Sequence, residues 1–87
     1  MEYVRIDSES GDEREMCLKV EKDLKDLGAD VIRQGHGQDT HSNGWNLLCT
    51  LKGSPGLSPL ILSAHLDTVS PGKGIEPLLG QDGVLRS

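Results

Sequence analysis

Apolar positions along the chain follow two patterns. Met16, Val20, Leu24 and Leu27 recur at steps of four, four and three, the spacing of one helix face. Lys19, Glu21, Lys22, Asp23, Lys25 and Asp26 fill the intervening positions and read as an ordinary solvated face. Ser10 and Glu13 stand at capping-box spacing, with Ser10 as the N-cap. Asp12, Glu13 and Glu15 suit the positive end of the helix dipole. Gly28 follows the last apolar residue as a C-terminal glycine cap does. The pattern predicts a helix ending at about Leu27.

The second pattern is a continuous apolar run. Residues 60–64 lie between a glycine- and proline-rich stretch at 53–59 and Ser70-Pro71-Gly72. Such a run, bounded by turn residues, predicts a buried central strand. Val31 and Ile32 favour another strand at 29–33, and Trp45, Leu47, Leu48 and Leu51 favour one at 45–51. Residues 34–44 form a polar, glycine-rich loop. Residues 75–79 are an apolar patch, 81–83 a turn and 84–86 the start of a further element. Residues 1–6 fit the end of a helix.

The order helix, strand, strand, strand predicts an α/β fold. A strand apolar on both faces expects cover on both sides of its sheet. One clear helix covers one side. The expectation is therefore a partial, truncated sheet of about three to four strands, with part of the domain outside residues 1–87.

Composition narrows the function classes. The chain has 87 residues, 34% hydrophobic and 2% aromatic, with no Phe. A chain this short buries only about two-thirds of its unfolded surface. Nine basic against fourteen acidic residues give a net charge of -5, so nucleic acid is not an expected partner. No apolar run approaches the roughly 20 residues of a membrane span. Met1-Glu2-Tyr3-Val4-Arg5 lacks the apolar core of a signal peptide, so a cytoplasmic protein is expected. Cys17 and Cys49 stand far apart and read as two reduced, partly buried thiols.

Chemistry concentrates at the end of the apolar run, where His65 and Asp67 stand two residues apart. On a strand, such residues project to the same side. Neutral histidine is the commonest metal ligand, and a ligating histidine usually gives its second N–H to a carboxylate. A hydrogen-bonded pair that merely closes a strand end satisfies the same spacing. Ser63 shares the side of His65 but lacks the elbow glycines of a nucleophilic serine. His36, Asp39 and His41 occupy the polar loop with no recognisable ligand spacing. Pro71-Gly72-Lys73-Gly74 lacks the phosphate-loop pattern.

Three motifs occur in one order: Ser8-Glu9-Ser10-Gly11-Asp12-Glu13, Gly44-Trp45-Asn46-Leu47, and Ser63-Ala64-His65-Leu66-Asp67-Thr68-Val69-Ser70-Pro71-Gly72. Together they resemble the amino-terminal part of the catalytic domain of the co-catalytic zinc aminopeptidase and deacylase family. That family includes tripeptide aminopeptidase (peptidase T), carboxypeptidase G, acetylornithine deacetylase and succinyl-diaminopimelate desuccinylase. Val4-Arg5-Ile6-Asp7-Ser8-Glu9-Ser10-Gly11, Ile75-Glu76-Pro77 and Asp82-Gly83-Val84-Leu85-Arg86-Ser87 are most similar to its peptidase T-like branch.

The resemblance implies a zinc-exopeptidase-like sheet and hydrolysis of short peptides by metal-activated water. In such a mechanism the metals act as Lewis acids and lower the water's pKa. It implies that His65 binds one of two zinc ions and that Asp67, an active-site residue, orients it. The loop at 71–74 would border the substrate cleft. The resemblance also implies that residues 1–87 hold at most one partial metal site. The family's bridging aspartate, glutamate base and adjacent glutamate ligand, a further carboxylate ligand and a late histidine lie outside them, as does its inserted dimerisation domain. A catalytic zinc normally takes three protein ligands and a water. The isolated chain is therefore expected to be inactive. Two alternatives stand beside this reading. One is an N-acyl amino acid deacylase of the same family. The other is a small α/β module that binds a partner through an exposed apolar sheet face, with no catalysis.

Overall fold

The computed structural model describes residues 2–35 and 41–87. In order, the elements are α1 (Glu2–Arg5), α2 (Arg14–Asp26), β1 (Asp30–Gln34), β2 (Asn46–Thr50), β3 (Leu78–Leu79) and β4 (Leu85–Arg86). The fold is α/β, with two small antiparallel sheets. β1 pairs with β2 in a register that sets Ile32 opposite Leu48, and β3 pairs with β4 around the turn at 81–83.

The long helix stops where the sequence says it should. Gly28 has a positive φ of 87°, which glycine adopts without a Cβ clash. Its N–H donates to the Lys25 carbonyl (2.9 Å) and that of Ala29 to the Leu24 carbonyl (3.1 Å). These are the two bonds of a Schellman cap. The helix start differs from expectation. Ser10 is not the N-cap; α2 begins at Arg14 with Glu13 in the cap position and no side-chain cap bond. Instead, Asn43 from the loop accepts the Arg14 N–H (3.0 Å), and Glu13 accepts the Gly11 N–H (2.7 Å) and the Ser42 hydroxyl. Leu27 also leaves the apolar stripe: beyond the last helical turn, it is 71% exposed.

A small core lies between α2 and the first sheet. Met16, Cys17 and Ala29 are buried, and the Cys17 thiol donates to the Trp45 carbonyl at 3.3 Å. Arg33 reaches from β1 to Glu21 on α2 (2.8 Å) and stacks over Trp45 at 4.1 Å. Alternation along β1 and β2 therefore puts Val31, Arg33 and Leu47 on the helix side. Ile32 and Leu48 occupy the opposite face, 64% and 52% exposed. Of the two thiols, Cys17 is buried and Cys49 is exposed; both are free.

The predicted central strand is not one. Residues 60–64 carry neither strand nor helix, and Leu60, Ile61 and Leu62 are 84–87% exposed. An apolar run becomes a strand only when a ladder partner takes its N–H and C=O groups and another layer covers its side chains. The described residues supply neither. The radius of gyration is correspondingly 15.6 Å, against roughly 12 Å for a compact chain of this length.

Ordering of the 60–74 stretch begins at its polar end. Thr68 forms a parallel bridge with Glu9: its N–H donates to the Ser8 carbonyl (2.8 Å), and its carbonyl accepts the Ser10 N–H (3.0 Å). Two carboxylates from the same N-terminal segment hold the loop that follows. Glu9 accepts the Gly72 N–H (2.7 Å) and Asp7 accepts the Gly74 N–H (2.8 Å). A Cβ at Gly72 would lie 2.8 Å from the Val69 carbonyl oxygen and 2.9 Å from the Thr68 hydroxyl. Gly72→Ala is therefore expected to destabilise the chain by ~1–3 kcal/mol, the usual range for an overpacked site. The urea midpoint should fall at unchanged slope; an unchanged midpoint would show that the loop yields freely.

Candidate functional site

His65 and Asp67 come together although residues 65–67 form no strand. The His65 Nδ1 lies 3.3 Å from the Asp67 Oδ1, a long contact. The imidazole is 94% exposed and the carboxylate 36%. With Nδ1 turned toward the carboxylate, Nε2 lies on the outer edge of an open ring. A proton on Nδ1 leaves the Nε2 lone pair free for an electrophile, the tautomer a histidine needs to bind a metal through Nε2.

Asp67 is anchored from a distant part of the chain. The Ser10 hydroxyl donates to the Asp67 Oδ2 at 2.6 Å. That bond, helped by the nearby His65 ring, holds the Asp67 carboxyl below the usual aspartate range. The fold therefore favours the ionised carboxylate, the form that attracts an Nδ1–H. Ser10 is the site residue that motif reading misassigned, because its capping-box spacing pointed to the helix. Ser10 and Asp67 stand 57 positions apart, and no periodicity links them.

Glu13, three residues further on, sits part-buried beneath the same segment. Burial pushes its carboxyl up, but the Ser42 hydroxyl and the Gly11 N–H more than offset this, leaving it lowered. Its bonds are spent on the Gly11 N–H, next to Ser10, and on the Ser42 hydroxyl, so Glu13 acts as a support.

Among the described residues no three histidines, cysteines or acidic side chains gather as a metal centre. His65 and Asp67 fit one ligand and its orienting carboxylate, and these residues do not complete a zinc site. His41 is exposed and joins no such group. His36 and Asp39 lie outside the described residues. An apolar hollow of about 300 Å³ opens between Tyr3, Val4 and Ile6 on one side and Val69, Pro71 and Ile75 on the other. Neither His65 nor Asp67 lines it. No described helix is long and apolar enough to cross a membrane.

No family model matches the sequence. The chain is 38% identical over 79 residues to YqjE, an uncharacterized protein of Bacillus subtilis; the match covers 91% of this chain and 21% of that protein. Its structure superposes on the crystal structure of a tripeptidase from Staphylococcus aureus with a TM-score of 0.87 at 31% identity. That match covers 97% of this chain and 22% of the tripeptidase. The chain thus spans about a fifth of the length of both relatives, and over that fifth it has the fold of a tripeptidase.

Proposed function

We propose that residues 1–87 form the amino-terminal part of the catalytic domain of a di-zinc aminopeptidase acting on short peptides in the cytoplasm. In this reading His65 is a ligand to one zinc through Nε2, and Asp67 is the carboxylate that fixes its tautomer. The observation that carries it is the Nδ1-to-carboxylate contact at 3.3 Å on an imidazole that is otherwise open. The likeness to a tripeptidase favours peptides over N-acyl amino acids as substrates. Bound zinc would supply Lewis-acid activation of water. This chain's own part is to hold one imidazole in the right tautomer, at the end of a segment braced by Asp7, Glu9 and Ser10. The remaining ligands and the general base would come from residues beyond these.

Zinc titration of the 87-residue chain tests the assignment. The expected result is weak binding that His65→Ala reduces, because one imidazole falls short of the three protein ligands of a catalytic zinc. Tight, stoichiometric zinc would overturn the partial-site reading, and binding indifferent to His65→Ala would remove His65 from it.

A second reading rests on the open apolar surface. Leu60, Ile61 and Leu62, with Ile32 and Leu48 on the uncovered sheet face, suit packing against further protein. Within the first reading that protein is the rest of the peptidase domain. Within the second, it is a separate partner, and no catalysis follows.

A further inference from the structure

We infer that Ser10 is a positioning residue of the metal site, setting the tautomer of His65 through Asp67; this rests on the peptidase reading above. The geometry is a relay of three side chains. The Ser10 hydroxyl donates to one carboxylate oxygen of Asp67 at 2.6 Å, and the other oxygen faces the His65 Nδ1 at 3.3 Å.

Ser10 is itself held in place by the main chain. Its N–H donates to the Thr68 carbonyl (3.0 Å), while the Thr68 N–H donates to the Ser8 carbonyl (2.8 Å). The hydroxyl therefore approaches Asp67 from a fixed backbone position, one residue past the Glu9–Thr68 bridge. A carboxylate rotates about its last torsion through a broad, roughly two-fold well. A short charge-assisted bond to Oδ2 narrows that rotation and aims Oδ1 at the ring. Since Asp67 is the residue that makes Nδ1–H the preferred tautomer, its aim decides how often Nε2 offers its lone pair. A serine that only closed a turn would bond backbone groups. Here its shortest bond is to Asp67, with the Thr68 carbonyl farther off at 3.5 Å.

The test is the tautomer ratio of His65, read from the ring nitrogen shifts of the 87-residue chain at an alkaline pH where imidazole is neutral. Ser10→Ala keeps the backbone bonds and removes only the hydroxyl. The Nδ1–H to Nε2–H ratio is expected to fall about threefold, the scale of a modest net hydrogen bond. Ser10→Thr, which restores a hydroxyl, is expected to recover most of it. Asp67→Asn is the control, expected to lower the ratio at least as far. An unchanged ratio in Ser10→Ala alongside a lowered one in Asp67→Asn overturns the role of Ser10 and leaves the His65–Asp67 pair standing. An unchanged ratio in both overturns the pair and the relay together. Backbone amide shifts that remain native in Ser10→Ala distinguish a lost hydroxyl from a lost fold. Should Ser10→Ala unfold, failure of Ser10→Thr to retain the wild-type ratio would overturn the inference.

Discussion

His65→Ala is expected to strip one zinc from the enzyme that we propose this chain to be part of, and to lower its tripeptide hydrolysis by at least about 100-fold. The magnitude follows from the ordering of the shells. Removing an orienting partner of a metal ligand typically costs 10–100-fold in affinity or activity, and removing the ligand itself costs no less. The fold should survive unchanged. The imidazole is 94% exposed, and among the described residues its one polar contact is with Asp67. A surface substitution of that kind stays within about 0.5 kcal/mol. The informative outcome is thus a wide separation between two measurements. Metal content per protein and kcat/KM should both drop, while the urea midpoint stays in place. An enzyme that keeps its zinc and its rate with alanine at position 65 would return the histidine to the role of a strand-end residue.

The parts of the molecule that could be read from the sequence are those whose partners lie nearby in the chain. The α2 helix with Met16 on its buried face, the glycine cap at Gly28 and the turn at 81–83 each depend on neighbours within a few residues, and each is found, while Leu27 leaves the stripe and Glu21, read as solvated, is buried. The i, i+2 meeting of His65 and Asp67 is equally local, and it holds although the expected strand does not form. Residues 60–64 show the limit. Their apolar run is a statement about what they need for burial, and it says nothing about whether a partner is at hand. Among the described residues none is, so the run stays open and carries no ladder. Ser10 shows a different limit. A serine three residues before a glutamate has two possible customers, the helix N–H groups and any acceptor brought close by the fold. Spacing sees the first; only the Glu9–Thr68 bridge brings Asp67 within reach of the second.

This long-range bridge also bears on how the site is built. The N-terminal segment supplies Asp7 and Glu9 to the backbone of the 72–74 loop and Ser10 to Asp67. The polar end of the 60–74 stretch is therefore ordered by side chains 57 to 67 positions away, while its apolar body is ordered by none of the described residues. Site geometry and core packing are thus separable here. Substitutions at 7–10 should act on the tip, and substitutions at 60–62 should act on association with whatever covers the run.

Asp67→Asn puts that separation to its sharpest use. The substitution keeps size and shape, so the Ser10 hydroxyl can still donate to a side-chain oxygen. What it removes is the charge that draws the Nδ1 proton. An amide can also present its NH2 to the ring, and a donor at that place favours the wrong tautomer, with the lone pair on Nδ1 and the proton on Nε2. The expected loss is 10–100-fold in zinc affinity at the His65 site, and a similar loss in peptide hydrolysis in the complete enzyme. The native fold should persist, because the buried residues Met16, Cys17 and Ala29 lie between α2 and the first sheet and Asp67 is tied to Ser10 and His65. Circular dichroism and the urea midpoint check the fold, calorimetry checks the metal, and kcat/KM on a tripeptide checks the chemistry. If affinity and rate are both preserved with asparagine at 67, the carboxylate does not orient His65, and the contact between them is incidental to a turn.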